Sequence, residues 1–249
     1  MRIDAISVIP QVFEGYVGAS ILGRARTRQI FEFFAHDLRD WTHDRHRTVD
    51  DAPFGGGQGM LMKPEPIYEA VEAVTAFDER RPHVIFFSPC GTPFSQAEAQ
   101  RLAGEERLLF VCGRYEGMDE RAYELADSVI SLGDYVLTGG ELAVLAVTDA
   151  VVRLLPGALG DEMSARDESF SDGLLEYAQY TRPATFRDME VPQVLLSGDH
   201  AAVDAWRRES SLRRTALLRP DLLDSADLSE TERRFVDDIM SHGHPEGEV

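Results

Sequence analysis

Leu108-Leu109-Phe110-Val111-Cys112-Gly113-Arg114-Tyr115-Glu116-Gly117 is followed about fifteen residues later by Val129-Ile130-Ser131-Leu132-Gly133-Asp134-Tyr135-Val136-Leu137-Thr138-Gly139-Gly140-Glu141. Each stretch is a short apolar run of strand type that closes in a glycine-rich loop. The two loops therefore sit at strand ends, where ligands bind in open α/β sheets. Glycine lets the backbone bend sharply and approach a ligand closely, and Tyr115 and Tyr135 supply flat walls. The pattern describes a pocket for a small molecule with an aromatic base. Turn chemistry explains the glycines alone; it does not explain Tyr115 and Glu116 set among them.

Outward from these loops, further apolar runs (Ile3 to Ile9 and His83 to Phe87, besides Arg107 to Cys112 and Ser128 to Leu132) alternate with helical stretches up to about Gly160. Such alternation predicts an α/β fold with a mainly parallel sheet and helices over it. Ser95 and Glu98 have capping-box spacing and open one helix. Glu141 to Leu155 forms another, stopped by Pro156 and Gly157; its face with Leu142, Leu145, Ala146, Asp149 and Val152 is expected on the sheet. Residues 161–173 are acidic, poor in apolar side chains and read as a mobile connector. From 174 to 249 the pattern is mostly helical: Ala201 to Leu218 follows the turn Ser197-Gly198-Asp199, and Ser229 to Met240 opens with a second capping box, Ser229 and Glu232. Ser241 to Val249 is polar and expected to fray. The organisation is a domain over 1–160, a connector and a smaller helical domain.

Composition narrows the class. No apolar stretch is long enough to span a bilayer, and Met1 to Ile9 reads as a first strand, not a signal peptide. Cys90 and Cys112 lack metal-ligand spacing and are too few for a disulfide framework, so both read as free thiols in a reducing cytoplasm. The net charge of −19 opposes a generally nucleic-acid-coated surface. Local basic clusters remain: Arg24, Arg26, Arg28, Arg39, Arg45 and Arg47 early, and Arg207, Arg208, Arg213, Arg214 and Arg219 late. A charge run is most often only a solvated face. His36, His43, His46 and His83 have no convergent spacing, so no structural metal is expected.

Several motifs occur together and in order: Asp50-Asp51 with Phe54 to Met60, Ser88-Pro89, Gly113 to Glu120, Leu132 to Glu141, Tyr180-Thr181-Arg182-Pro183, and Val191-Pro192 with Leu195 to Gly198. On these the chain, from Met1 to about Leu228, resembles the bacterial tRNA (guanine-N1)-methyltransferases, knotted enzymes of the SPOUT class that modify guanosine 37 beside the anticodon. The resemblance implies a deep trefoil knot, a bent S-adenosylmethionine held within it, and a homodimer with its active site at the subunit interface. It maps the cofactor contacts onto Ser88, Pro89, Gly113, Tyr115, Glu116, Gly117, Leu132, Gly133, Asp134, Tyr135, Val136 and Leu137, with Gly139 and Gly140 closing the loop. It also implies magnesium-stimulated activity, with ligands unassigned.

The chemistry that the resemblance implies needs a base, because guanine N1 carries a proton at neutral pH and must lose it to attack a methyl group. The family has an aspartate directly before Ser-Phe in the connector; here that position is Glu168, with Asp167 one residue earlier as the alternative. Both acids can equally be read as solvating a connector. Arg153 matches the family's catalytic arginine, whose planar guanidinium can stabilise charge on the deprotonated base. Pairing with a helix C-terminus is the plain alternative.

The run Gly55-Gly56-Gly57-Gln58-Gly59 resembles a phosphate loop but lacks the lysine and hydroxyl pair of a nucleoside-triphosphate site, so ATP binding is not expected. By resemblance Asp50, Gly55, Gly56, Gly57, Gly59 and Met60 lie near the target guanosine. Arg182, Ser197, Gly198, His200, Arg207, Arg208 and Arg214 are the candidate grip on the anticodon arm, since unpaired loops are read by stacking and base-edge bonds and phosphates by arginine. Two alternatives stay open: a related knotted methyltransferase of ribosomal RNA, and a non-catalytic RNA-binding relative.

Overall fold

The computed structural model describes residues 1–160 and 168–242. In chain order its elements are β1 (Arg2–Ser7), α1 (Glu14–Val17), α2 (Ser20–Thr27), β2 (Glu32–Asp37), β3 (Asp50–Asp51), β4 (Leu61–Met62), α3 (Pro64–Thr75), β5 (His83–Pro93), α4 (Gln96–Ala103), β6 (Arg107–Val111), β7 (Ser128–Ser131) and α5 (Glu141–Val152). These are followed by β8 (Thr185–Phe186), β9 (Met189–Glu190), α6 (His200–Leu218) and α7 (Glu230–His242). Chain contacts separate two compact units, Met1–Glu162 and Met163–Val249.

The first unit is built on a five-stranded sheet of order β2-β1-β6-β5-β7, every neighbouring pair parallel. A parallel sheet covered on both faces reads as continuous apolar sequence, and β6 is buried at every position. Alternate residues feed two cores. Ile3, Ala5, Phe33, Ile85, Leu108 and Phe110 face α2, α4 and α5 through Leu22, Ala25, Ala99, Leu102, Val144 and Val147. On the other face Ile6, Val84, Phe86, Leu109 and Val111 meet Ile67, Ala70, Val71 and Val74 of α3. Ser95 caps α4, accepting from the Glu98 amide at 3.3 Å, as its spacing predicts.

Two corrections follow. Glu32–Asp37 is a strand that the sequence pattern does not disclose: it lies at the sheet edge, and only Phe33 of it is buried. On α5 the buried face is Val144, Val147, Val151 and Val152 with Leu145 packed against it, so the expectation holds for Leu145 and Val152, whereas Leu142 is 61 % exposed and Ala146 is exposed too. The helix is apolar nearly all round, so periodicity could not choose its face.

At the amino ends of the strands Arg107, fully buried, donates from Nε to Asp4 at 3.0 Å and from Nη1 to the Thr75 carbonyl at 2.9 Å. Burial by itself would raise the Asp4 carboxyl, but hydrogen bonds from His36, Arg2 and Arg107 outweigh it and hold it below the usual carboxylate range. A buried charge is tolerated only when paired in this way.

The second unit packs Leu174 and Leu212 with Ala216, Ala226, Leu228, Val236 and Ile239 from α6, α7 and their connection. The segment after Leu174 is fastened along α6, the Leu175 and Ala178 amides donating to Thr215 Oγ1 at 2.9 Å and Ser210 Oγ at 3.0 Å. The expected capping box forms fully, with the Ser229 amide donating to Glu232 at 2.8 Å and the Glu232 amide to Ser229 Oγ at 3.3 Å. Ser241 and His242, expected to fray, extend α7; the remaining tail lies outside the described residues. Among the described residues, no helix is long and apolar enough to cross a membrane.

Candidate active site

At the carboxyl ends of β5, β6 and β7 a cavity of about 240 Å³ opens in the first unit. That is room for a small molecule, not for a folded RNA. Strand β5 supplies one wall: it pairs with Ile130 of β7 at Phe87 and again at Thr92, so Ser88 to Gly91 bulge out of the ladder. Ser88 and Pro89 of this bulge line the cavity. The loop after β6 contributes Gly113, Tyr115, Glu116 and Gly117; the loop after β7 contributes Leu132, Gly133, Tyr135, Val136, Leu137, Gly139 and Gly140. Thirteen of the fourteen cofactor positions named from sequence are thus brought together. Asp134 is the exception, since it is exposed and does not line the cavity.

The two glycine loops touch through their backbones. The Gly140 amide donates to the Gly113 carbonyl at 2.9 Å, and Arg114 and Gly139 form an isolated antiparallel bridge. A Cβ on Gly140 would lie 3.0 Å from Cys112 Cα and 3.3 Å from Gly113 N, so any larger residue would have to push backbone aside to keep this approach. Tyr115, at φ 60°, and Tyr135 are half exposed at the cavity walls, the Tyr135 ring turned over Gly133. A non-glycine residue held at positive φ is strained, and such strain gathers at functional sites.

Sequence reasoning left out Phe87, Arg114, Met118, Tyr123, Ile130, Ser131, Thr138 and Ala143, which also line the cavity. Arg114, Met118, Ile130, Ser131 and Thr138 stood inside the quoted stretches; Phe87, Tyr123 and Ala143 are placed by the third dimension. Burial pushes the Tyr123 hydroxyl up, against a hydrogen bond with Ser88. Burial also pushes the Cys112 thiol well up, which leaves it protonated and inert. Cys90 is exposed, its sulfur 3.0 Å from Ser88 Oγ.

The glycine loop 55–59 meets the same cavity wall at its end, through Gly59 and Met60. The Glu116 amide donates to the Met60 carbonyl at 3.0 Å and the Met62 amide to the Gly117 carbonyl at 2.9 Å. A Cβ on Gly59 would fall 2.3 Å from Glu116 Cγ. Gly55, Gly56, Gly57 and Gly59 all have positive φ, and Asp50 pairs with Met62 in the small β3–β4 ladder. Residues named from sequence for the target nucleoside therefore adjoin those named for the cofactor.

Arg153 caps α5, its amide donating to the Asp149 carbonyl at 3.2 Å. Glu168 belongs to the second unit and begins a built turn. Its carbonyl accepts from the Ser171 amide at 3.1 Å, the Phe170 amide donates to the Leu174 carbonyl at 2.7 Å, and Ser169 Oγ accepts from the Glu176 amide at 3.0 Å. Asp167 lies outside the described residues.

The candidate RNA grip is divided. Ser197, Gly198 and His200 are exposed at the start of α6, where Asp199 is the helix cap, accepting from the Ala202 amide at 3.2 Å. Arg182 is exposed. Arg208 is tied to Glu232 at 2.6 Å and Asp172 at 2.8 Å, Arg214 to the Glu176 carbonyl at 3.1 Å, and Arg207 stacks 4.9 Å over Tyr177. Among the described residues no cluster of three or more His, Cys, Asp or Glu side chains is arranged to hold a metal ion.

A parallel α/β sheet with a glycine-walled cavity at its carboxyl edge defines a small-molecule-binding α/β enzyme. The family model of the tRNA (Guanine-1)-methyltransferase TrmD matches residues 1–225. The chain is similar to the tRNA (guanine-N(1)-)-methyltransferase of Bacillus cereus strain G9842, 52 % identical over 240 residues covering 96 % of this chain and 98 % of the relative. It is likewise similar to that of Syntrophotalea carbinolica, 52 % identical over 242 residues and covering 96 % and 97 %. With that of Dehalococcoides mccartyi it shares 49 % over 246 residues, covering 98 % and 99 %. The chain belongs to the tRNA (guanine-N1)-methyltransferase family. Membership implies S-adenosylmethionine as methyl donor and tRNA as substrate.

Proposed function

We propose that this protein methylates N1 of guanosine 37 in tRNA, holding S-adenosylmethionine in the cavity between the Gly113–Gly117 and Leu132–Gly140 loops. The observation that carries the reading is that cavity, at the carboxyl ends of β5 to β7 and lined by the positions matching the family's cofactor motifs. The residues fit the donor: aromatic walls at Tyr115 and Tyr135, close backbone approach at Gly140, and the backbone of Leu132 to Leu137 along the cavity edge. When bound, S-adenosylmethionine supplies an electrophilic methyl group on a sulfonium. The protein's own part is to place guanine against it, to accept the N1 proton at the Glu168 or Asp167 carboxylate, and to stabilise the charge on the deprotonated base through the Arg153 guanidinium. The loop of Gly55 to Met60 with Asp50 would hold the nucleoside, and Arg182, Ser197, Gly198, His200, Arg207, Arg208 and Arg214 the anticodon arm.

A trefoil knot around the cofactor and a homodimer with a shared active site belong to the same proposal, as does a cytoplasmic location. The uncovered side of α5, with Leu142 and Ala146 beside exposed Tyr16, supports a dimer, because an apolar strip of this kind is normally covered. Magnesium would act on turnover, not as a structural ion.

The test is methyl transfer to tRNA transcripts carrying guanosine or adenosine at position 37, with the product nucleoside identified. N1-methylguanosine from the first and nothing from the second is expected. Methylation of ribosomal RNA but not of the anticodon arm, or cofactor binding without turnover, would contradict the proposal.

A further inference from the structure

Beside α2 lies a shallow groove lined by Gly18, Ser20, Gly23, Arg24, Thr27 and Arg28, with no carboxylate in its lining. In a chain of net charge −19 that is an unusual surface. Positions 24 and 28 are one helical turn apart and project from the same side. Their neighbour Arg26 is neutralised, its Nη1 lying 2.9 Å from both carboxylate oxygens of Glu14. Among the described residues Arg24 and Arg28 meet no carboxylate; Arg28 reaches only the Gly157 carbonyl, at 3.4 Å. Attraction to the C-terminus of α2 rewards a basic residue in the last turn by a few tenths of a kcal/mol, but it explains neither the groove nor the two uncompensated charges.

The bond to Gly157 sets Arg28 against the turn that follows α5, four positions after its capping residue Arg153. The floor is low because a Cβ on Gly23 would fall 2.2 Å from the Gly18 carbonyl oxygen. Exposed arginines over a glycine floor suit phosphodiester groups, which arginine grips through paired N–H donors.

We propose that Arg24 and Arg28 bind successive backbone phosphates of the tRNA strand that approaches Arg153, extending the RNA contact surface into the first unit. This rests on the reading of the chain as a tRNA methyltransferase with Arg153 at its reaction centre.

The test is tRNA affinity against salt for the wild type, the Arg24→Gln/Arg28→Gln double variant, the Arg24→Lys/Arg28→Lys double variant and Arg26→Gln. Each neutralised phosphate contributes about 0.7 to the salt slope on a single strand, so the glutamine pair should lower the slope by about 1.4. It should also weaken tRNA binding on the order of tenfold near 0.1 M salt. The lysine pair and Arg26→Gln should keep the wild-type slope, and all variants should bind S-adenosylhomocysteine and melt as the wild type does. Wild-type methylation with an unchanged slope in the glutamine pair overturns this inference alone. Lost S-adenosylhomocysteine binding or a lowered melting temperature in that pair gives the arginines to the fold and also overturns it. Wild-type protein that does not methylate tRNA overturns both the functional reading and this inference.

Discussion

Arg114 and Glu141 form a two-pronged ion pair, Nε to Oε1 at 3.1 Å and Nη2 to Oε2 at 3.2 Å, that ties the loop after β6 to the first turn of α5. Glu141 is 5 % exposed and also accepts from Ser7 Oγ of β1 at 2.6 Å. A carboxylate at a helix N-terminus is favoured by the helix dipole as well. The pair closes over the contact between Gly113 and Gly140, so the spacing of the two cavity loops is set by a buried charge and not only by glycine packing.

Replacing one partner of such a pair leaves the other charge poorly solvated, at a cost of about 3–5 kcal/mol when burial is complete. Arg114 keeps 26 % of its side-chain exposure, so about 2–3 kcal/mol is expected for Glu141→Ala. Glu141→Gln, which can still accept from Ser7, should lose less. Denaturant unfolding of both variants checks the order; equal and negligible losses would show that the pair contributes nothing.

Acid stability should depend on the cap of α7. The Glu232 carboxyl is lowered from 4.5 to about 2, first by the hydrogen bond from Arg208 and then by those from Ser229. A carboxyl depressed in the folded state stabilises the fold fully above its unfolded pKa, and that contribution is lost as pH falls toward the folded one. Wild-type stability should therefore fall between about pH 4.5 and 2, and Glu232→Gln should show a shallower decline over this window. Parallel acid limbs would remove Glu232 from the account. Ser229→Ala should cost about 1 kcal/mol at neutral pH through the lost cap.

Much of this was legible in the chain because the parallel strands are continuous apolar runs and the caps of α4 and α7 are local sidechain-to-backbone patterns. The edge strand Glu32–Asp37 was not, since with one buried residue it carries neither alternation nor a run. The face of α5 was only partly so, because Leu-Ala-Val-Leu-Ala-Val over 142–147 is apolar on every side. The cavity's glycine loops announced themselves; Phe87, Tyr123 and Ala143 did not, being ordinary core types until the fold brings them to one opening. The arginines of α6 were legible as a basic cluster, but the contacts that Arg208 and Arg214 make inside their own unit were not, since they depend on Asp172, Glu176 and Glu232 being brought alongside.

The base should be found in single-turnover methylation with cofactor and tRNA saturating, which separates the chemical step from product release. If Glu168 accepts the N1 proton, Glu168→Gln keeps cofactor binding and loses roughly 10²–10⁴-fold in rate, the usual scale for a general base. Asp167→Asn then costs much less. The reverse pattern transfers the role to Asp167, and small losses in both place the base elsewhere.

The claim on which the rest depends is that the contact of the two glycine loops makes the methyl-donor site. Calorimetric titration of S-adenosylhomocysteine into the wild type and into Gly140→Val, without RNA, tests it most directly. A valine Cβ at that position meets Cys112 Cα at 3.0 Å and must part the loops, so binding should weaken by at least about tenfold, a loss of about 1.4 kcal/mol, in a protein that still unfolds cooperatively. Wild-type affinity in a folded Gly140→Val variant would contradict the account.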